Sequence, residues 1–347
     1  MLSFWPVWLK LVVSALVAFL VAYFLTPVAK KFAIKIGAID VPKDNRRVHD
    51  HPIPLMGGLA IFLGFTVAVI CFVSFSKEVA GIMLGSVIIV AMGIVDDKYN
   101  LNPWLKLAIQ VLAALVAVAF GVSVDAMTFP IDGVATTVKL GFFAVPITVI
   151  WIVGCTNAVN LIDGLDGLAV GVSAISGITM FAVAFLVSEP DVALMLLVLS
   201  FACFGFMPYN LNPAEIFMGD TGSQFLGYIL ATVSIMGLFK FYAVFTFIVP
   251  FLALAVPLAD TLFAFVRRIS KGQSPFKADK KHFHHRLLAM GLNQRQAVGV
   301  LYAISAVCGL IAIGLAAGIV KVSIACVVLA VIIIAITWLL ITKGGKK

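Results

Sequence analysis

The sequence predicts an all-α polytopic membrane protein of about eleven transmembrane helices, and three observations carry that prediction. Of 347 residues, 63% are hydrophobic and only 12% are charged, against the ~25% charged residues of a water-soluble domain. The mean hydropathy is +1.15. Apolar runs of spanning length recur from one end of the chain to the other, separated by short polar connections. Such a chain has too little polar surface to cover itself in water, whereas a helix in a bilayer satisfies its own backbone groups.

The runs lie near 5–27, 55–75, 79–95, 104–121, 142–157, 167–187, 191–208, 222–239, 243–264, 297–317 and 322–342. The first of them is long, has no small-residue cleavage pattern and is followed by many more, so it reads as a span and not as a removable signal. No soluble domain is inserted and no internal repeat is visible, so residues 1–347 read as a single transmembrane domain. Of the 24 Lys and Arg residues, 19 fall on one set of connections and 5 on the other. Cytoplasmic loops carry the cationic excess, which puts the N-terminus outside and the C-terminus in the cytoplasm of a multi-pass cell-membrane protein. That bias also accounts for the net charge of +8, so membrane lipids are expected partners and nucleic acid is not. Cys71, Cys155, Cys203, Cys308 and Cys326 all sit in or beside apolar runs without CxxC spacing. They read as small buried hydrophobes, neither a disulfide framework nor a zinc site.

The outside connections are bare turns except 122–140, whose alternation around Asp132-Gly133 predicts a β-hairpin. The inside connections are longer and hold all five histidines. The third run closes on Asp96-Asp97; adjacent carboxylates repel, and a cation relieves the repulsion. A solvated helix end is the plainer alternative, but Asp opposes the dipole there. In CTNAVNLIDGLDGLAVG, Asn157, Asn160, Asp163 and Asp166 recur every third residue, a spacing that predicts one slowly rotating helical face. Such hard oxygen donors suit Mg²⁺, phosphate or sugar hydroxyls. Capping of two adjoining helices would explain one or two of them. Asp220, in FMGDTGSQFLG, stands between two glycines at the start of the eighth run; either Asp220 or Thr221 is the N-cap, or Asp220 is a metal ligand beside a phosphate-binding helix start.

The last inside loop, RRISKGQSPFKADKKHFHHRL, joins cations to His282, His284 and His285. A histidine cluster suggests zinc, but the absence of a nearby Cys and the run of cations point to an anionic ligand; anionic-lipid attraction accounts for Lys271 or Lys277. In the first inside loop, DVPKDNRRVHDHPIPLMGG, Arg47 and His49 are either a phosphate grip or part of a plain basic loop. Asp260 is an ionisable group inside a span, expected to line the cleft bottom or to pair with Arg267.

Together these loops resemble the polyprenyl-phosphate N-acetylhexosamine-1-phosphate transferase superfamily, in order and over nearly the whole chain: RRVHDHPIPLMGG, the Asp pair, NAVNLIDGLDGLA, MGDTGS and the HFHH loop. The first and last loops resemble the WecA/TagO branch of this glycosyltransferase family 4. The related MraY branch typically has HHH followed by Glu where this chain has His282-Phe283-His284-His285-Arg286. The resemblance implies transfer of N-acetylglucosamine-1-phosphate from UDP-N-acetylglucosamine to undecaprenyl phosphate. It implies Mg²⁺ as cofactor, with Mn²⁺ as the substitute, and is compatible with a homodimer. It makes Asp220 the leading metal ligand with Asn160 beside it, and assigns Asp96 and Asp97 to metal, lipid phosphate or proton handling. Asp163 and Asp166 match catalytic positions on the nucleotide and metal side. Arg47, His49, Asn157, Arg268, His282, His284 and His285 match the substrate-binding regions. The rival readings are a muramoyl-pentapeptide transferase of the MraY type, a secondary transporter, which would place its polar groups at the midplane of a repeat, and a non-catalytic lipid-binding protein.

Overall fold

The computed structural model describes residues 5–42, 51–131, 134–238, 248–270 and 282–319. Its elements are almost all helices: α1 (Val7–Ile36), α2 (Gly58–Phe72), α3 (Lys77–Tyr99), α4 (Pro103–Ala119), α5 (Ala144–Ile162), α6 (Leu168–Leu186), α7 (Pro190–Asn210), α8 (Gly219–Val233), α9 (Ile248–Ala253), α10 (Ala255–Ile269), α11 (Phe283–Ala289) and α12 (Gln294–Ala316). Among the described residues six helical segments are long and apolar enough to cross a membrane, and α2 and α4 are shorter apolar helices. Ten of the eleven predicted runs fall on helices. The run at 243–264 is divided into α9 and α10, which meet at Leu254, and the run at 322–342 lies outside the described residues.

The helix ends follow local chemistry. The Ser76 side chain accepts the Val79 N–H to start α3. Asn102 caps α4, with Pro103 in its first turn, where a missing N–H costs nothing. Asn293 and Gln296 form a reciprocal capping box on α12,. Gly37, at φ +78°, ends α1. The predicted hairpin is present: β3 (Ala126–Ile131) pairs antiparallel with β4 (Val134–Lys139).

The helix α8 is the centre of the bundle. It packs on α2, α3, α5 and α6 and is buried from Thr221 to Val233. Glycines make this possible. A Cβ on Gly58 of α2 would stand 2.0 Å from the Gly222 Cα, one on Gly93 of α3 would stand 2.4 Å from the Thr221 Cα, and one on Gly227 would stand 2.6 Å from the Thr156 Cα. Without water between helices, association depends on such close backbone approach. A two-residue ladder, β1 (Ile39–Asp40) with β2 (Ile53–Pro54), closes the loop after α1. The segment beyond it is zipped to the start of α8 by Phe217 N–H to Pro54 O and Gly58 N–H to Met218 O, at 2.8 and 2.9 Å.

Candidate active site

The start of α8 is capped from another helix. Asp97, on the last turn of α3, accepts the Asp220 N–H (2.7 Å), the Thr221 N–H (3.2 Å) and the Thr221 hydroxyl (2.6 Å). A carboxylate at a helix N-terminus meets both free N–H groups and the positive end of the dipole. Gly219, at φ +72°, leaves room for it: a Cβ there would lie 2.5 Å from Asp97 Oδ2. Neither Asp220 nor Thr221 is therefore the cap. The Asp220 side chain is instead free to face the cleft, where it accepts from Lys106 Nζ (2.8 Å), Gln224 Nε2 (2.9 Å) and Asn160 Nδ2 (3.1 Å). Lys106, on α4, also pairs with Asp96, whose other oxygen accepts the Leu101 N–H at 2.7 Å.

The three-residue spacing from Asn157 to Asp166 does not form one helical face. The helix α5 stops at Ile162; Asp163 has left it at φ −77°, ψ 60°, and Gly167, at φ +79°, opens α6. The four side chains therefore part company. Asn157 points into the bundle, where Gln110 Oε1 accepts its amide at 2.7 Å; Gln110 in turn donates to Gln224 at 2.9 Å. Asn160 reaches Asp220. Asp166 holds the α7–α8 connection by accepting from Asn212 Nδ2 (2.9 Å) and the Ala214 N–H (3.1 Å). Asp163 faces the cleft, and among the described residues nothing donates a hydrogen bond to its carboxylate. Burial, then the nearby Asp220, Asp97 and Asp166, push its carboxyl up to about 8.

The histidines also divide. His282 and His284 are buried, and only His285 lines the cleft. The His284 ring rests against Gly164, where a Cβ would come within 2.5 Å of Nε2. Burial and the adjacent His285 push His284 down to about 4, so it is neutral at physiological pH. Asp260 meets His282 and the Phe283 N–H, so its expected place at the cleft bottom is instead beneath α11.

The resulting cleft has a volume of about 430 Å³ and gathers Asp96, Asp97, Asn160, Asp163, Asp166, Asp220 and His285 from loops far apart in sequence. Asn157, His282, His284 and Arg268 are not in its lining, and Arg47 and His49 lie outside the described residues. Sequence reasoning missed Lys106, Asp40, Asn100 and Asn210, which do line it. Lys106 had a signal, since it stands one turn into the helix that follows the Asp pair. The cleft is built from the last turns of α3, α5 and α7 and the first turns of α4 and α8, so it occupies one end of the bundle; the hairpin between α4 and α5 marks the other.

No three His, Cys, Asp or Glu side chains among the described residues converge closely enough to cage a metal. The cleft fits a different mode. Mg²⁺ keeps several waters and takes one or two carboxylates plus substrate phosphates; Asp220 offers hard anionic oxygens beside Asn160, and Asp163 would offer the same once a cation displaced its proton,.

Residues 79–238 match the family model described as glycosyl transferase family 4. A probable undecaprenyl-phosphate N-acetylglucosaminyl 1-phosphate transferase of Bacillus subtilis (strain 168) is 43% identical over 305 residues, 88% of this chain and 84% of the relative. The chain belongs to the polyprenyl-phosphate hexosamine-1-phosphate transferases of glycosyl transferase family 4. Within that family, a decaprenyl-phosphate N-acetylglucosaminephosphotransferase of Mycolicibacterium smegmatis is 37% identical over 322 residues, 84% of this chain and 79% of the relative. A phospho-N-acetylmuramoyl-pentapeptide-transferase of Staphylococcus saprophyticus is 31% identical over 331 residues, 88% of this chain and 98% of the relative. The family match spans Asp96, Asp97, Asp163, Asp166 and Asp220 and ends before the histidine loop. Membership of a transferase family sets aside the transporter and the passive lipid binder.

Proposed function

We propose that this multi-pass membrane protein transfers N-acetylglucosamine-1-phosphate from UDP-N-acetylglucosamine to undecaprenyl phosphate at the cytoplasmic face of the cell membrane. The carrying observation is the convergence of six carboxylates, Asn160, Lys106 and His285 in one cleft at one end of the bundle. In the reaction an oxygen of the lipid phosphate forms a bond to the β-phosphorus of the donor. The bond from that phosphorus to the bridging oxygen breaks, and UMP leaves with the electron pair. The product is a lipid-linked diphosphosugar of the kind that starts cell-surface glycans.

A polyprenyl phosphate oxygen is ionised at neutral pH, so direct attack needs no general base. Phosphoryl transfer depends on positioning and on neutralising charge. Lys106 supplies one fixed positive charge between Asp96 and Asp220. His285 is placed to donate to phosphate or sugar oxygens. Asp97 and Asp166 act on the frame, the first by fixing the start of α8 and the second by fixing the connection before it. A bound Mg²⁺, or Mn²⁺ in its place, would be held by Asp220, Asp163 and Asn160 and would supply Lewis-acid charge neutralisation. A cleft at the bundle end lets the lipid stay in the bilayer while the nucleotide arrives from water; with that end cytoplasmic, the start of α1 at the other end would lie outside.

The muramoyl-pentapeptide reading is second, because the 31% relative of that name is the more distant of the two. The test is UMP release by purified protein with polyprenyl phosphate, Mg²⁺ and each UDP-sugar separately. The N-acetylglucosamine donor is expected to be preferred. Equal or faster turnover of the muramoyl-pentapeptide donor would replace this reading with the second.

A further inference from the structure

The short helix α11 has an anchor that the reaction just described does not use. Asp260, on α10, is only 3% exposed. Its Oδ2 lies 2.7 Å from His282 Nδ1, and its Oδ1 accepts the Phe283 N–H at 2.7 Å. Both contacts fall at the start of α11, which has seven residues. A helix that short does not persist without tertiary support. The second support is Gly164, whose missing side chain makes the notch that receives the His284 ring. The His282 and His284 rings lie parallel, with centroids 5.9 Å apart, and the His285 centroid is 4.3 Å from that of His284. Asp260 therefore pins the beginning of α11, and Gly164 fixes its rotation against the turn that carries Asp163 and Asp166. The residue next in line, His285, enters the cleft beside those carboxylates.

We propose that Asp260 is a positioning residue of the transferase: through His282 and the first turn of α11 it sets where His285 stands relative to the cleft carboxylates. This rests on the transferase reading above. A carboxylate buried at such depth is costly unless hydrogen-bonded, and for stability alone an apolar side chain would serve as well or better. Here both of its oxygens are spent on the one element that presents His285.

The experiment is a double-mutant cycle on the purified full-length protein. UMP release is measured for wild type, Asp260→Ala, His285→Ala and the double variant. The donor is varied at saturating polyprenyl phosphate, then the lipid at saturating donor, with thermal unfolding of each variant alongside. Asp260→Ala is expected to lower kcat/KM for the donor about 10- to 100-fold, the scale of an ångström-sized misplacement, and to leave the KM for lipid unchanged. In the His285→Ala background the same change is expected to cost little more, because the group it positions is gone. Asp260→Asn keeps an acceptor for the Phe283 N–H and is expected to recover part of the donor KM; it replaces Asp260→Ala in the cycle if that variant does not fold. Multiplying losses in the double variant, or equal rises in both KM values, would overturn the proposal. Absence of UMP release by the wild type with every donor would remove the transferase reading itself.

Discussion

Asp220 is held by donors on three sides, whereas Asp163 meets none among the described residues, so two acids of one cleft differ in what they are ready to bind. Asp220→Asn keeps the size and removes the charge to which Lys106, Asn160 and Gln224 donate. Turnover is expected to fall by about 10²-fold or more, the usual cost of removing one strong electrostatic stabiliser. UMP release at saturating Mg²⁺ measures it, and near-normal turnover would take Asp220 out of the reaction. Asp163 makes a pH prediction. Its carboxyl rises from the ordinary 3.8 to about 8 in the folded chain. Between those values the folded chain holds a proton that the unfolded chain has lost, so without a cation its folding stability declines as pH rises through that window. A cation binding at Asp163 must expel the proton. The Mg²⁺ concentration for half-maximal turnover is therefore expected to fall as pH rises from about 6 to about 8, by up to ~10-fold per unit. Asp163→Asn is expected to flatten that slope; an unaltered slope would show that another group carries it. The residue types were legible in the sequence, because hard oxygen donors do not collect at a membrane edge without cause. The pairing of Lys106 with Asp220 was not, because the two lie 114 residues apart along the chain.

At the scale of elements, glycine placement decides how near α2 and α3 come to α8. Gly58→Ala would drive a methyl group into the backbone at Gly222, and backbone cannot rotate aside as a side chain can. The expected cost is about 1–3 kcal/mol, as for overpacking, seen as a lower unfolding temperature and a lower turnover, since the displaced helix carries Asp220. Gly154→Ala, with nothing within 4 Å of the new methyl, is the control and should leave both unchanged. Equal behaviour of the two variants would refute the close crossing. Helix positions were legible because apolar length is a strong signal. The end of α5 was read wrongly for a definite reason: a three-residue period of polar groups is also what a short polar turn produces when Asp163, Gly164 and Gly167 break the helix between two apolar runs. Asp97 was read from its own helix end, where it is a poor cap, and its real partner is the start of a different helix.

Across the whole molecule, the cleft and the β3–β4 hairpin stand at opposite ends of the bundle, which makes the orientation testable. In a background without native cysteines, Lys139→Cys on the hairpin is expected to react with an impermeant reagent added to intact cells, and Lys98→Cys beside the cleft is expected to react only after lysis. The reverse pattern would invert the topology. The polytopic fold was legible from composition and run length, and the charge bias pointed to the same end as the acidic motifs. The cleft itself was legible as a set of loops but not as an arrangement, because no local pattern says that α8 is the central helix or that only one of three histidines reaches the opening. The cap that Asp97 places on α8 carries one more consequence, for how the protein is made. Asp97 leaves the ribosome 123 residues before the N–H group that it must receive. During all that synthesis a pair of carboxylates waits at the bilayer edge for a partner that has not yet been translated, so water or an insertion factor must shelter it. The cleft is assembled only after Asp220 and then His285 have been made, so a chain arrested before residue 220 is expected to be inserted without it.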